Sequence, residues 1–409
     1  MKELKLNKIE VFFFLMSLSI FVDLLNGAVS YFNIGAPISI LYKVFILALC
    51  FAILMKNKLH IGLVYYSIIV YIVFLTLLNE SEVNPKYLLL GISNSIKLIM
   101  PFIVCHAVYY LLKEVSLENR SKYYERFLKW NFLFLFIGVS LGFLSIGNST
   151  YGDGEAGIGT KGLFIAGNEV GACFILLFLA LTLWKIERKS AYPFVLVLTG
   201  VVLAISISSK TTIIASMIVL AISLGWYSKF SNANIIVRTL LVVIIVSSFA
   251  YFVFLFFNDE NEFIKRLLFK YSEGDLITVI WSGRNDFIFN LISIGNFDAV
   301  TVLFGHGIGE TASSIQKYSS EVDPFDVYYW YGVILLIVIS TLHFLMVLKS
   351  RSRLSKLKES KNSIVYSCYY VNVIMLFLAF LSGHIWFSGM LGVLWGAING
   401  FSRHEKKIS

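Results

Sequence analysis

Side chains that bind anions and move protons are concentrated in one polar interval, residues 258–332, of an otherwise apolar chain. The interval contains WSGRND, LFGHGIG and EVDPFDVYYWYG. Arg284, in WSGRND, carries a guanidinium whose paired donors match phosphate oxygens and whose charge persists at any ordinary pH. Lys210, in the turn SISSKTT, is a second cation expected at the same end of the molecule. Together they are suited to holding a diphosphate, although each alone is equally explained as a cation at a membrane interface.

Three side chains of this interval are rival candidates for a general base: Glu321, Asp323 and His306. A carboxylate or an imidazole within hydrogen-bonding reach can take a proton from a sugar hydroxyl. Asp323 has another explanation, because an acid before a helix complements its dipole and Pro324 suits the first turn. His306 lies in FGHGIG, whose glycines lack the strand-to-helix context of a dinucleotide site.

Aromatic side chains next to these acids, and one amide further upstream, are candidates for binding sugar. Tyr328 and Trp330, in the run YYWYG, offer faces on which sugar rings can stack, and Asn168 closes the upstream segment KGLFIAGN. The spacing of the acids is too generic for a metal site. We therefore expect neither a metal nor another cofactor.

The composition places these residues in a membrane protein. Hydrophobic residues make up 58% and charged residues 14% of the 409 residues, and the mean hydropathy is +0.79. A soluble domain carries about a quarter charged residues. The net charge of +9 does not indicate nucleic-acid binding, because Lys and Arg fall mainly in the loops of one face, as on the cytoplasmic side of a membrane protein.

The hydropathy pattern predicts an all-α polytopic protein with about twelve transmembrane helices in a single domain, residues 1–409. Both termini are expected in the cytoplasm, and a long outer loop, residues 258–325, joins spans 9 and 10. The expected spans are approximately residues 9–25, 38–55, 60–78, 96–112, 130–146, 169–184, 192–206, 213–227, 235–257, 326 to the basic run KSRSRLSKLKESK, 364–381 and 385–401.

Several finer expectations accompany this topology. The charged stretch LENRSKYYERFLK is predicted to be a separate interfacial helix before span 5, and residues 263–270 a short amphipathic helix in the outer loop. Asp23 and Lys97 are expected near the outer edges of their spans. The four cysteines lack CxxC spacing and are predicted to be buried packing residues; they are Cys50, Cys105, Cys173 and Cys368.

The motifs, in their order, resemble those of the O-antigen ligase and polymerase superfamily of bacterial membrane glycosyltransferases, which includes the Wzy-type polymerases. The matching segments are KGLFIAGN, SSKTT, WSGRND, LFGHGIG and the acidic motif followed by Gly332. They cover residues 161–332, and the hydropathy profile is similar over the whole chain.

The resemblance implies a fold of the GT-C type and a donor glycan carried on undecaprenyl diphosphate. By position, Arg284 matches the family's diphosphate-binding arginine. Lys210 stands where many relatives have arginine, and Glu321 stands where ligases have histidine. The lysine keeps the charge but loses the paired donors, whereas the glutamate favours a polymerase and leaves the base open among Glu321, Asp323 and His306. The implied location is the bacterial inner membrane with the site facing outward, and the implied partners are the lipid-linked oligosaccharide, a flippase and a chain-length regulator.

Two other functions fit the sequence. An O-antigen ligase would use the same site with a different acceptor, and the sequence separates it poorly from a polymerase. A flippase or transporter for a lipid-linked sugar would suit twelve spans. Charged residues in the middle of the spans and helix breaks are few, however, and transporters commonly use both at the membrane midplane.

Overall fold

A computed structural model describes residues 2–80, 85–151, 158–189, 193–230, 281–357 and 362–404, together with the isolated positions 239, 243, 247, 272 and 278. Apart from positions 239, 243 and 247, predicted span 9 lies outside these residues, as do the predicted helix at 263–270 and the side chain of Lys210.

Helices dominate the described part of the chain, and we number them in order. The first nine are α1 (Lys2–Ser17), α2 (Ser19–Tyr31), α3 (Ile38–Asn57), α4 (Leu59–Glu80), α5 (Pro85–Leu112), α6 (Leu117–Ser140), α7 (Gly167–Glu187), α8 (Pro193–Ile207) and α9 (Lys210–Phe230). The remaining six are α10 (Arg284–Ile294), α11 (Ala299–Phe304), α12 (Ile308–Ile315), α13 (Asp323–Lys356), α14 (Ser363–Leu381) and α15 (Gly389–Ser402).

The described residues contain several helices that are long and apolar enough to cross a membrane, which confirms a polytopic α-helical membrane protein. Seven single helices qualify, and α1 with α2, bent by 47°, would make an eighth. Shorter apolar helices cover Val195–Ile207 and Thr211–Tyr227. All four cysteines are buried and free, as expected.

Three predicted boundaries are wrong. The predicted interfacial helix and span 5 form one continuous helix, α6, because buried Tyr124 and Phe127 extend its packed face through the charged stretch. Helix α5 begins at Pro85 and not at 96, so Lys97 lies within the helix. The last helix begins at Gly389 and not at 385.

In the glycine-rich loop after α6, β1 (Asn148–Tyr151) and β2 (Ile158–Gly162) pair as a two-stranded antiparallel hairpin. Its many glycine and polar residues are typical of a loop, and the sequence did not predict these strands. The hairpin packs against the end of α6, where the Leu163 backbone N–H donates to the Gly138 carbonyl.

A glycine seam brings α15 against α5. Gly392, Gly396 and Gly400 recur every four residues, so they share one helix face. A Cβ on Gly396 would lie 2.6 Å from the Pro101 carbonyl oxygen and 2.7 Å from the Val104 Cβ. Small residues at such a seam let two membrane helices approach closely and gain dispersion energy.

A buried amide network joins α15 to α13 and α14. Asn372 donates to the Asn399 side chain at 3.0 Å and to the Met346 carbonyl at 3.2 Å. It accepts from the Trp395 indole N–H at 2.6 Å. Because an unpaired amide inside an apolar bundle is costly, this network helps to fix how the three helices pack together.

The seam makes a testable prediction. Replacing Gly396 by Ala should lower the free energy of unfolding by about 1–3 kcal/mol, because the added methyl meets backbone of α5 that cannot move aside. Gly62→Ala is the matched control: Gly62 is also inside a helix, α4, but an added Cβ there would first meet the flexible end of the Met55 side chain, 2.9 Å from its Sδ, which can move aside. That control should be neutral or stabilising, as alanine favours helix. Thermal unfolding in detergent measures both; equal midpoints for the two variants would contradict the close packing.

Candidate functional site

The connection between α14 and α15, residues 381–388, is the structural centre of the candidate site, and we call it the 381–388 turn. Asp323, at the start of α13, is fully buried and accepts from three successive backbone N–H groups of this turn. The distances are 2.6 Å to His384, 2.7 Å to Ile385 and 2.8 Å to Trp386. The backbone leaves helical geometry here, with positive φ at Gly383 (64°) and His384 (58°), and helix resumes only at Gly389.

Arg284 reaches the same turn from α10. Its guanidinium donates to the carbonyls of Leu381 at 2.9 Å and Ser382 at 3.1 Å, at the C-terminal end of α14. A cation is favoured there by the partial negative charge of the helix end. Asn168, at the start of α7, also donates to the Ser382 carbonyl, at 2.9 Å. Two of the predicted ligand-binding residues therefore converge on one carbonyl oxygen.

Glu321 forms an ion pair with Arg284. Its Oε2 lies 2.9 Å from a terminal guanidinium nitrogen, and its Oε1 lies 3.7 Å from the Lys317 ammonium. Burial would raise the pKa of Glu321, but the charges of Arg284, His384 and Lys317 outweigh it, so this pKa lies below its ordinary value. The Glu321 side chain is 28% exposed. It is therefore ionised at neutral pH and open to solvent.

The guanidinium of Arg284 has one further contact and one nitrogen without a partner among the described residues. A terminal nitrogen donates to the Trp281 carbonyl at 3.3 Å, while Nε has no hydrogen-bond partner among the described residues. The residue is 9% exposed. A ligand anion could bind this guanidinium by displacing the Glu321 carboxylate or by accepting a hydrogen bond from Nε.

Lys210 is the first residue of α9, and the structure describes its backbone only. Its neighbours show where the SSKTT turn lies. Ser209 accepts from the Thr212 backbone N–H at 3.1 Å, and the Thr211 hydroxyl lies 3.4 Å from the Ser382 hydroxyl. The start of α9 therefore meets the same turn as Arg284 and Asn168.

The LFGHGIG motif crosses YYWYG with backbone against backbone. Gly332 interrupts α13 with φ 81° and ψ 174°, and a Cβ there would lie 2.1 Å from the Leu303 carbonyl oxygen. Gly305, at φ 87°, would place a Cβ 2.4 Å from the Trp330 carbonyl. Only glycine fits such positive φ with so close an approach. The glycine spacing in this motif therefore has a structural cause.

The end of α4 anchors this crossing. Asn79 donates to the carbonyls of Phe304 and Trp330, at 3.1 and 3.3 Å. Glu80 is buried and accepts from the backbone N–H groups of Ile308 and Gly309 at the start of α12. Neither residue was predicted to take part, since an acid at the end of a span resembles an ordinary interfacial residue.

His306 is held beside the crossing. Its ring stacks on Tyr329 at 4.4 Å, and its Nδ1 lies 3.3 Å from a Glu310 carboxylate oxygen. Nε2 is buried and has no partner among the described residues. One ring nitrogen is therefore available for a hydrogen bond. The described contacts of His306 are with Tyr329, Phe297 and Glu310, and none of these residues is the partner of Arg284, which pairs with Glu321.

The predicted sugar-stacking residues differ in access. Trp330 is 2% exposed, packs on Phe387 at 4.9 Å and donates its indole N–H to Thr311. Its ring is therefore packed inside the protein and is not accessible to a sugar. Tyr328 is half-buried and keeps part of its ring open.

A second group of charges lies at the start of α15. The Ser388 hydroxyl donates to Glu169 of α7, and Lys43 of α3 pairs with Asp23 at 2.6 Å. Lys97, inside α5, interacts electrostatically with both Glu169 and Lys43. The sequence marked Asp23 and Lys97 only as residues near span edges. Their grouping depends on helix packing that hydropathy does not report.

No protein-family model matches this chain, and no curated protein matches it. Among the described residues, no three His, Cys, Asp or Glu side chains are grouped as metal ligands.

The role of Asp323 makes a prediction about stability. Asp323→Asn should lower the free energy of unfolding by about 3 kcal/mol or more, because an amide has a single acceptor oxygen and turns N–H donors toward backbone N–H groups. Asp298→Asn is the matched control, since exposed Asp298 accepts from two N–H groups at the start of α11 and asparagine caps a helix as well. Chemical unfolding in detergent compares them, and a loss no larger than the control's would contradict the anchoring role.

The Arg284–Glu321 pair predicts a pH dependence. Because the pKa of Glu321 is lowered in the folded chain, the pair stabilises fully above the unfolded pKa of about 4.3 and is lost as pH falls through the folded value. The difference in unfolding midpoint between the wild type and Glu321→Gln should be constant from neutral pH to about pH 5 and shrink below about pH 4. A difference that stayed unchanged at pH 3 would exclude this pair as its source.

Proposed function

We propose that this protein is a bacterial surface-polysaccharide polymerase that transfers a glycan from undecaprenyl diphosphate to a sugar hydroxyl of another lipid-linked repeat. The observation that carries the proposal is the ion pair of Arg284 with Glu321 beside the 381–388 turn. The pair places a cation that can bind a diphosphate next to a carboxylate that can accept the proton of a sugar hydroxyl. The sequence resemblance independently assigns Arg284 to the diphosphate.

The ion pair suggests how substrate and base are linked. In the free protein the Glu321 carboxylate neutralises Arg284 at 2.9 Å. A diphosphate group, which carries two negative charges, offers the guanidinium a stronger partner than a carboxylate. On binding, it displaces Glu321, which is partly exposed and ionised at neutral pH. The carboxylate is released as the donor substrate arrives.

The chemical step then follows. The acceptor hydroxyl oxygen forms a bond to the anomeric carbon of the donor glycan, and its proton passes to Glu321. The bond from that carbon to the diphosphate oxygen breaks, and undecaprenyl diphosphate leaves with the bonding pair. Arg284 stabilises the charge that develops on the leaving group.

Geometry ranks the three candidate bases. Asp323 is buried and accepts three backbone hydrogen bonds, so it is a positioning residue for the turn. His306 has a free Nε2 but makes its described contacts with another set of residues. Glu321 alone touches the cation, and we assign it as the base. Among the sugar-binding candidates, half-buried Tyr328 is favoured over buried Trp330.

We further propose the GT-C type of fold with twelve spans, both termini in the cytoplasm and the site at the outer face of the inner membrane. Seven single helices and one bent pair qualify as spans. The helices α8, α9 and α15 stand where predicted spans 7, 8 and 12 lie, and predicted span 9 would complete the count. Lys210 remains a proposed second cation, supported by the contact of neighbouring Thr211 with Ser382.

The test is polymerisation of purified lipid-linked repeats by the reconstituted protein. Arg284→Ala and Glu321→Gln should each lower the rate by a factor of about 100 or more, as removal of a transition-state donor or a general base does. Arg284→Lys should recover only part of the loss, because an ammonium lacks the paired donors. Arg351→Ala, exposed on α13, is the control and should keep the wild-type rate.

The outcomes separate the rival functions. Wild-type rates in both Arg284→Ala and Glu321→Gln would refute this mechanism. Repeats that cross a vesicle membrane without growing in length would indicate a flippase. Transfer to a lipid A acceptor without elongation of repeats would indicate a ligase.

A further inference from the structure

A groove runs along one face of α6, away from the 381–388 turn. It has a volume of about 490 Å³ and is lined by described residues of this helix: Lys122, Glu125, Arg126, Lys129, Trp130 and Leu133. That volume falls within the range of about 300–1,000 Å³ that small-molecule sites occupy. The proposed glycosyl transfer makes no use of it.

The charge of the groove is positive. Lys122, Arg126 and Lys129 are exposed cations at the spacing of one helix face, and Glu125 is the one carboxylate among the described lining residues. Lys122 also pairs with exposed Glu118 at 2.7 Å. Glu125 is itself neutralised, because Lys129 lies 2.7 Å and Lys185 of α7 lies 3.0 Å from its Oε1. The excess of basic groups selects an anion.

The groove continues into an apolar stripe. Trp130 is 46% exposed, Leu133 42% and Ile137 40%, on the side of α6 that follows the cations. Trp130 stacks on Phe134 at 5.5 Å, which holds its ring in place. From Arg126 to Ile137 the helix rises about 16 Å, close to the thickness of one leaflet's hydrocarbon.

A basic end, an interfacial tryptophan and an apolar stripe of leaflet length match the parts of one kind of molecule. We propose that the α6 groove binds an anionic phospholipid, with its phosphate on Lys122, Arg126 and Lys129, its glycerol region against Trp130 and an acyl chain along Leu133 and Ile137. Charge complementarity favours an anionic over a zwitterionic headgroup, and the continuous stripe favours a lipid over free phosphate. This site is independent of the proposed polymerase function.

Native mass spectrometry of delipidated protein, titrated with phosphatidylglycerol, tests the site. The triple variant Lys122→Gln, Arg126→Gln, Lys129→Gln should bind the lipid more weakly by on the order of 100-fold, since each basic residue near an anionic headgroup changes affinity about five-fold. The control is Lys349→Gln, Arg351→Gln, Lys356→Gln, an equal change of charge at exposed positions of α13. The control should keep wild-type binding.

Further binding measurements, with another variant and other ligands, identify what the groove binds. Trp130→Ala should weaken phosphatidylglycerol binding while leaving the cations in place, and phosphatidylcholine should bind the wild type more weakly. Wild-type affinity in the α6 triple variant, or an equal loss in the α13 control, would overturn the proposal. Equal binding of phosphatidylcholine would refute recognition of charge, and full displacement by inorganic phosphate would assign the groove to a free phosphate.

Discussion

The carboxylate of Asp323 holds three successive backbone N–H groups of the 381–388 turn, and the candidate site depends on that contact. At Gly383 and His384 the chain leaves helical geometry, with φ of 64° and 58°, and the Asp323 contact supplies acceptors for the N–H groups exposed there. With it, the turn stays open at the end of α14, and the Leu381 and Ser382 carbonyls remain free to receive Arg284 and Asn168. A single buried acid thus fixes the element on which the other site residues assemble.

Around this turn the protein separates structural polar groups from reactive ones. Asp323 and Asp326 are buried and accept only from protein donors, Asp326 from Ser319 and Ser320. Glu321, two residues before Asp323, stands at φ 62° and points its carboxylate to Arg284 and to solvent. Three acids within six residues therefore differ in role because they differ in burial and partners, and the more exposed carboxylate is the one that can exchange with a substrate anion.

The glycines of LFGHGIG and Gly332 show how a motif that resembles a ligand loop can serve packing. Their backbones cross within distances that exclude a side chain, and the end of α4 ties the crossing through Asn79 and Glu80. The rigid crossing holds the first part of α13 and hence the position of Asp323. The link from this motif to the proposed chemistry is indirect, through the helix that it braces.

The sequence was enough to predict the helical membrane character, most of the helix order and the polar interval that supplies Arg284 and Glu321. These features follow from local hydropathy and residue type, which need no partner. Tertiary structure decided the start of α15, the pairing of Arg284 with Glu321 and the engagement of Asp323. The physical reason is separation along the chain: Asp323 binds groups 61–63 residues away, and Arg284 binds carbonyls 97 and 98 residues away. Contacts of that range arise only when the helices have packed.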